Sequence, residues 1–303
     1  MTRRLRSRSA LAWGGLALAG VLVAGCSGQA EEAPAESEAP AVETDEELHA
    51  LLPEEIQEAG SVTVGTEAYY PPYEFIDEDG ETIVGLDIDL LDAVTARLGI
   101  DYELDNVAFD TLLPSLDAGR YDVVVAGITD TAERQENYDF VDYFSADQAI
   151  IVPAGNPEGI SAMSDLCGLT VSVLVDSTQQ SMLEQENAAS CADDPIDILT
   201  QQTDTEALTQ VQTGRAAALL TQEAVGVYNA SQVAGGSAFE VANEDSIAPT
   251  PLGYVFAKGN DQLRDAFQAG LQSLVDDGTY VEILESWDLE NAAVDEIVVN
   301  GGQ

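Results

Sequence analysis

Apolar and polar positions along the chain alternate between the two-residue period of strands and the 3.6-residue period of helices. The β-branched run 61–66 predicts a strand. Ile88, Leu91, Val94 and Leu98 fall on one helical face, predicting a helix over 88–98 that Gly99 ends. A strand over 101–104 follows, then a helix over 111–118, with Asp110 placed to cap it and Gly119 to stop it. The run 121–126 reads as a buried strand. A second series repeats the plan, with strands over 169–175, 196–199 and 216–220 and helices over 177–189, 205–213 and 223–231. Gly119-Arg120 and Gly214-Arg215 precede buried strands at matching places in the two series. A strand over 253–257 and helices over 261–276 and 280–287 come last. Strands alternating with helices imply α/β sheets covered on both faces. The repetition implies two similar lobes. An open sheet of this kind binds ligand at the carboxyl ends of its strands, so two lobes facing across those ends enclose a cleft.

The start of the chain follows a different pattern. Arg3, Arg4, Arg6 and Arg8 precede an uncharged apolar stretch over 10–25. That stretch is shorter than the roughly 20 apolar residues a membrane span needs. Positive charge, a short apolar run and small residues describe a signal peptide over 1–25. Val23-Ala24-Gly25 followed by Cys26 resembles a bacterial lipobox, in which the Cys thiol takes a diacylglyceryl thioether and becomes the new N-terminus. Residues 26–53, dominated at first by Glu, Ala, Pro and Ser, read as a disordered acidic tether with His49 near its end. The folded part is then expected to begin near Glu54 or Ser61.

Charge narrows the chemistry. Beyond Cys26 only Arg97, Arg120, Arg134, Arg215, Lys258 and Arg264 are basic, against all 56 acids, leaving about −50. Nucleic acid and anionic lipid surfaces are poor partners for such a chain, and a saline surrounding would screen its self-repulsion. Cys167 and Cys191 are either bridged or two buried free thiols. An exported location favours the bridge, whose loop of roughly 25 residues carries about 3 kcal/mol of chain entropy. The single histidine lies in the tether, so no Ser/His/Asp triad forms. One histidine and a bridged cysteine pair give no zinc site. Asp77-Glu78-Asp79-Gly80 hints at a calcium loop, but that register puts Phe75 and Leu86 where acids are needed, so a surface turn is expected. No Walker-type phosphate loop occurs. Neither metal, cofactor nor catalysis is expected.

The cations carry more information because they are few. Arg97 and Arg264 belong to helix surfaces, and Arg120, Arg215 and Lys258 to glycine-containing turns. Arg134 follows the buried strand and the polar turn 127–131, at the end of the strand where ligand should lie. A guanidinium there would hold a carboxylate in a two-pronged grip; the competing reading is an ion pair with Glu133, Glu136 or Asp139. Tyr69, Tyr70, Tyr73 and Phe75 form either a pocket wall or local core, with core favoured for Tyr73 and Phe75. Glu67, just past the first strand, is placed to take a cation or an amide donor.

From about 61 to 287 the chain resembles the polar-amino-acid-type (family 3) solute-binding proteins of ABC importers. The resemblance lies in Val64-Gly-Thr-Glu-Ala-Tyr-Tyr-Pro-Pro-Tyr-Glu-Phe75, Val84-Gly-Leu-Asp-Ile-Asp-Leu90, Phe109-Asp-Thr-Leu-Leu-Pro114, Ala126-Gly-Ile-Thr-Asp-Thr-Ala-Glu-Arg134 and Asp277-Gly-Thr-Tyr280 leading to Trp287. Leu166-Cys-Gly168 with a second Cys after the next helix resembles disulfide-bearing members. The resemblance implies an α/β, two-lobe periplasmic-binding-protein-like (type II) fold with a ligand cleft between the lobes. Lobe 1 would comprise 54–150 plus 251–290 and lobe 2 151–250, hinged by strands near 149–152 and 251–255, with 291–303 a C-terminal tail. It implies a monomer on the outer face of the membrane that hands a polar amino acid to permease subunits. By position, Arg134 matches the family's α-carboxylate arginine, and Thr129 and Gly127 its neighbouring hydrogen-bonders. Tyr70 and Phe109 match the enclosing aromatics, Glu67 the acid that reads the ligand side chain, and Ser177 and Thr178 the helix-start residues that complete the carboxylate site. One position departs. Where the family usually has an aspartate for the α-amino group stands Gln222, followed by Glu223. Either Glu223 or Asp176 replaces that acid, or the ligand's amino group is substituted or absent. A betaine or opine-like ligand, or a dehydratase-like enzyme on the same fold, are the alternatives this leaves.

Overall fold

The computed structural model describes residues 42–243 and 245–303. The signal peptide, Cys26 and the tether up to residue 41 lie outside the described residues. The strands are β1 (Ser61–Thr66), β2 (Tyr69–Tyr70), β3 (Glu74–Ile76), β4 (Ile83–Val84), β5 (Asp101–Asn106), β6 (Val123–Val124), β7 (Tyr138–Pro153), β8 (Thr170–Leu174), β9 (Asp197–Gln201), β10 (Ala218–Gln222), β11 (Phe239–Val241), β12 (Ile247–Ala257) and β13 (Val298–Val299). The helices are α1 (Glu46–His49), α2 (Glu54–Ala59), α3 (Leu86–Leu98), α4 (Phe109–Asp117), α5 (Ala132–Gln135), α6 (Thr178–Ala189), α7 (Asp204–Gln212), α8 (Glu223–Gln232), α9 (Asp261–Asp277) and α10 (Thr279–Ser286).

In lobe 1, β1 lies between the parallel neighbours β5 and β6, and in lobe 2, β8 lies between the parallel neighbours β9 and β10. Helices cover both faces of each sheet because its strands bury side chains on both faces. In lobe 1, Val62 and Val64 pack with α3 and α9, while Val124 and Phe140 pack with Leu112 and Leu116 of α4. In lobe 2, Val171 and Leu220 pack with Leu183 of α6, while Ile151 and Leu219 pack with Leu208 and Val211 of α7. The Cys167–Cys191 disulfide is formed (S–S 2.05 Å) and joins the segment before β8 to the end of α6.

The two lobes share β7 and β12. These pair antiparallel from Ile247↔Gln148 to Ala257↔Tyr138, with irregularities between Ile247 and Thr250 and between Leu252 and Gly253. They link both sheets into one order, β5-β1-β6-β12-β7-β10-β8-β9. The crossings therefore run well beyond the 149–152 and 251–255 that the resemblance implied. Asp139, Asp142 and Asp147 break the apolar pattern of β7, and each accepts from distant chain: Lys258 Nζ and Arg264 Nη1 for Asp139, Gly301 N for Asp142, and Ile247 N, together with the adjacent Gln148 N, for Asp147.

Three further expectations need correction. The tether does not reach residue 53. Asp45 caps α1 by accepting from Glu47 N and Leu48 N, His49 Nδ1 lies 2.8 Å from Leu98 O, and Leu52 is fully buried. Residues 291–303 are not a loose tail. Val298 and Val299 pair with Asp142 and Val141 of β7, and Ile297 is buried. Asp110 does not cap α4; the cap is Ala108, and Asp110 lies in the first turn, where a negative charge still favours the helix dipole.

Candidate ligand-binding site

The loop from the end of β6 to α5 lies at the carboxyl end of the lobe 1 sheet. It opens with Gly127 at φ 53°, a left-handed conformation that suits glycine; a Cβ there would stand 3.2 Å from the Tyr70 ring. The Gly127 amide donates to Asp87 Oδ2 at 2.9 Å, and Tyr143 OH donates to the other Asp87 oxygen. Asp87 comes from the Val84–Leu90 motif, so that motif sets the height of the loop that begins at Gly127. Burial pushes the Asp87 carboxyl up, and its hydrogen bonds to Tyr143 and Gly127 oppose that.

Thr131 Oγ1 accepts from Arg134 N at 3.2 Å, capping the single turn of α5. The guanidinium then points back over the loop. Its Nη1 donates to Thr129 O at 2.9 Å, and its Nη2 donates across the cleft to Asp176 O at 3.4 Å. Among the described residues Arg134 forms no ion pair, and Asp139 is taken by Lys258 and Arg264. The ion-pair alternative is therefore not what the structure contains. Burial lowers the guanidinium pKa, against the opposing charges of Glu133, Asp130 and Asp176. With two of its five donors on backbone carbonyls, the rest of the fork is available to a ligand.

Arg134, Tyr70, Phe109, Gly127 and Thr129 from lobe 1 line one cavity with Ser177, Thr178 and Gln222 from lobe 2. The room left between these side chains is only about 10 Å³, the scale of a single water, so the lobes are drawn closely together around it. Leu174 and Gln179, which the sequence reading does not name, complete the lining. Gln179 Nε2 donates to Gln148 Oε1 at 2.7 Å, and Gln148 Nε2 is buried without a partner. Gln179 is one helical residue beyond Thr178, a proximity that was available as a signal. Ser177 spends its hydroxyl on structure, accepting from Gln180 N to cap α6 and donating to Leu174 O. The start of α6, a 12-residue helix, faces the cavity through Ser177, Thr178 and Gln179.

Glu67 is the one candidate that does not line this cavity. It is 1% exposed, its Oε1 has no partner, and it sits against lobe 2 beside Asp204. Tyr73 is fully buried against Phe144, as expected for core, whereas Phe75 is half-buried between Tyr228 and Trp287.

Gln222 ends β10 and leads into α8. Its Nε2 donates to Gly127 O of the other lobe at 2.9 Å, and its Oε1 is buried without a partner. Neither proposed substitute for the missing acid supplies a carboxylate. Glu223 is exposed and lines a groove at the hinge with Phe144 and Asp147. Asp176 is exposed at φ 55° and offers only its carbonyl to Arg134. The cavity thus holds one cation and no carboxylate. The Tyr70 hydroxyl adds two long contacts to lobe 2, 3.4 Å each, to Thr221 Oγ1 and Gln222 N. With Gln222 and Arg134 these contacts hold the lobes closed on the cavity.

The description of bacterial extracellular solute-binding proteins, family 3, matches residues 62–290. The arginine-binding protein ArgT of Corynebacterium glutamicum is 32% identical over 257 residues, covering 84% of this chain and 83% of ArgT. The L-cystine-binding protein TcyA of Bacillus subtilis is 25% identical over 232 residues, 77% of this chain and 82% of TcyA. An ancestral arginine-binding protein solved with arginine superposes with a TM-score of 0.70 at 34% identity, covering 75% of this chain and 98% of that one. The architecture is the type II periplasmic-binding fold. On the match over 62–290 and on the two-lobe fold built around this cavity, the chain belongs to the family 3 bacterial extracellular solute-binding proteins.

Proposed function

We propose that this chain captures a polar amino acid, or a close derivative of one, by closing its lobes, and delivers it to the permease of an ABC importer. It does so from the outer face of the cell membrane, held there through a lipid on Cys26. The observation that carries the reading is the Arg134 guanidinium. It is steadied by carbonyls of both lobes, has no carboxylate partner among the described residues, and lines the cavity where the two lobes meet. A ligand carboxylate completes its fork and meets the amides at the start of α6, a favourable place for an anion. Relatives named for arginine and for cystine support an amino-acid ligand. The cavity offers no acid to protonate a leaving group, which supports capture over catalysis.

The neutral Gln222 favours a second reading within binding. Its unpartnered Oε1 accepts one hydrogen bond from an amino group, where a carboxylate would also supply charge. An amino acid with a substituted amino group, as in an opine, fits that partner. A thermal-shift screen over amino acids, betaines and opines tests the proposal. A raised melting temperature with at least one carboxylate amino acid or derivative is expected, and no response to any carboxylate would refute it.

A further inference from the structure

Two acids lie together beneath the loop that begins at Gly127. Glu74 opens β3, Asp87 belongs to the first turn of α3, and both are fully buried. Their carboxyl groups are within hydrogen-bonding reach of each other. Neither forms an ion pair among the described residues. The other titratable groups facing them are Glu67, Tyr73, Tyr143 and Tyr254, and none of these brings positive charge. Two bare carboxylates in contact in a dry core repel with no water to screen them, so such a pair titrates as a unit and keeps a proton.

The surroundings decide which acid carries it. Asp87 Oδ2 accepts from Gly127 N at 2.9 Å and Asp87 Oδ1 from Tyr143 OH at 2.5 Å. Donors aimed at a carboxylate favour its charged form. Glu74 is offered none, since both its oxygens are buried without a hydrogen-bond donor among the described residues. Ionised, it would be a buried charge with no partner; protonated, it becomes a donor with Asp87 to donate to. Burial, and then the charge of Asp87, push the Glu74 carboxyl well above the ordinary carboxylate range, in the same direction. Asp87 is gripped from both crossing strands, by Tyr143 of β7 and by Tyr254 of β12, whose hydroxyl donates to Asp87 O at 3.0 Å. What it holds in turn is Gly127, whose carbonyl accepts from Gln222 Nε2 of lobe 2 at 2.9 Å.

We propose that Glu74 is a positioning residue that works as a neutral acid. Its carboxyl proton is donated to Asp87, and the pair, sharing one proton and one negative charge, fixes Gly127 in the wall of the cleft. Glu74 lines no part of the cavity and acts only through Asp87. The proton keeps Asp87 charged, and a charged acceptor holds the Gly127 amide about twice as strongly as a neutral one. The order from the core outward is then Glu74, Asp87, Gly127 and, across the cleft, Gln222.

Infrared spectroscopy of the intact chain, made with isotope-labelled glutamate, tests where the proton sits. At about pH 8, well above ordinary carboxylate values, wild type minus Glu74→Gln should show the carbonyl stretch of a protonated carboxyl that moves with the glutamate label. Glu67 contributes to both samples and cancels. No such band in the difference, or one that ignores the glutamate label because the proton sits on Asp87, overturns the proposal. Amide exchange at Gly127 tests the positioning. Glu74→Gln keeps a neutral donor toward Asp87 and should leave that exchange within about threefold of wild type. In Glu74→Leu the donor is gone, Asp87 takes up a proton itself, and exchange at Gly127 should rise about tenfold as its acceptor becomes neutral. Unchanged exchange in Glu74→Leu, or a Glu74→Gln chain as loose as Glu74→Leu, also overturns it. Should Glu74→Leu not fold, the infrared difference and the Glu74→Gln exchange still decide. Neither readout uses a ligand, so failure here leaves the capture reading standing, and failure of that reading leaves the acid pair standing.

Discussion

The position of Arg134 at the cleft was legible in the sequence because the six cations beyond Cys26 can be sorted one by one, and only this one falls at a strand's carboxyl end away from a surface helix. The same arithmetic hid Asp204. Where acids are everywhere, no single acid stands out, and only the packing of α7 against β2 shows which of them is buried near another acid. Glu67 was expected beside the ligand, but its side chain does not line the cavity around Arg134. Burial first, then the charge of Asp204, push the Glu67 carboxyl up to about 8, and burial pushes Asp204 to about 7 against its hydrogen bond from Thr221. Folded values above the ordinary carboxylate range mean that the folded chain holds these protons more tightly than the unfolded chain. The stability they contribute is present below about pH 4 and is lost as pH rises through about 7 to 8. Asp142, raised to about 8 by burial and then by Asp130, adds a similar slope. The melting temperature of the ligand-free chain should therefore fall between pH 5 and 8. In Asp204→Asn that fall should be shallower, and an identical slope in variant and wild type would remove the pair from the account.

Among the elements, those with strong local periodicity were read within a few residues: β1, α3, α6, α9 and the helix–strand alternation of lobe 2. The elements missed share a different physics, since distant partners decide them. β7 reads as a broken pattern until Lys258, Arg264 and Asn300 are seen around Asp139. The segment over 290–303 has no strand or helix period long enough to announce itself, yet it straps the loop over 127–131 to β7. Gly301 N donates to Asp142 Oδ2 at 2.7 Å and Gly302 N to Asp130 Oδ2 at 2.8 Å. Gln135 Nε2 of α5 binds both the Asp130 carboxylate and Gly302 O. Gly302 approaches so closely that a Cβ would stand 2.2 Å from Asp130 O. Two buried acids thus take backbone amides as partners one residue after Thr129 and at the centre of β7. Deleting 300–303 should raise amide exchange across 127–135 by about tenfold or more, at the roughly 1.5–3 kcal/mol that hydrogen bonds to charged groups carry. Exchange in β8 to β10 should stay unchanged. Equal protection of 127–135 with and without the strap would show that α5 and its arginine are held by other contacts.

On the scale of the whole molecule, the two-lobe plan and the cleft were readable because the strand–helix series repeats and ends on matching Gly-Arg turns. The extent of the folded unit was not, because α1 and the 290–303 segment gain stability only by docking on lobe 1 through residues such as Leu48, Leu52 and Ile297. Both lobes are acidic, so closure must overcome repulsion, and the hydrogen bonds that hold it are few: Gln222 to Gly127, Arg134 to Asp176, Thr205 to Tyr69 O, and the two long bonds of Tyr70. A ligand that engages Arg134 from one side and α6 from the other adds what these contacts lack. The most direct test is calorimetric titration of wild type and Arg134→Ala with the best-bound amino acid and with its α-carboxamide. Wild type should lose about 100-fold in affinity when the carboxylate is amidated, in line with a charge-assisted pair of hydrogen bonds. Arg134→Ala should bind the acid weakly and discriminate little between acid and amide. Equal binding of acid and amide by wild type, or undiminished binding of the acid by Arg134→Ala, would contradict a carboxylate clamp at Arg134.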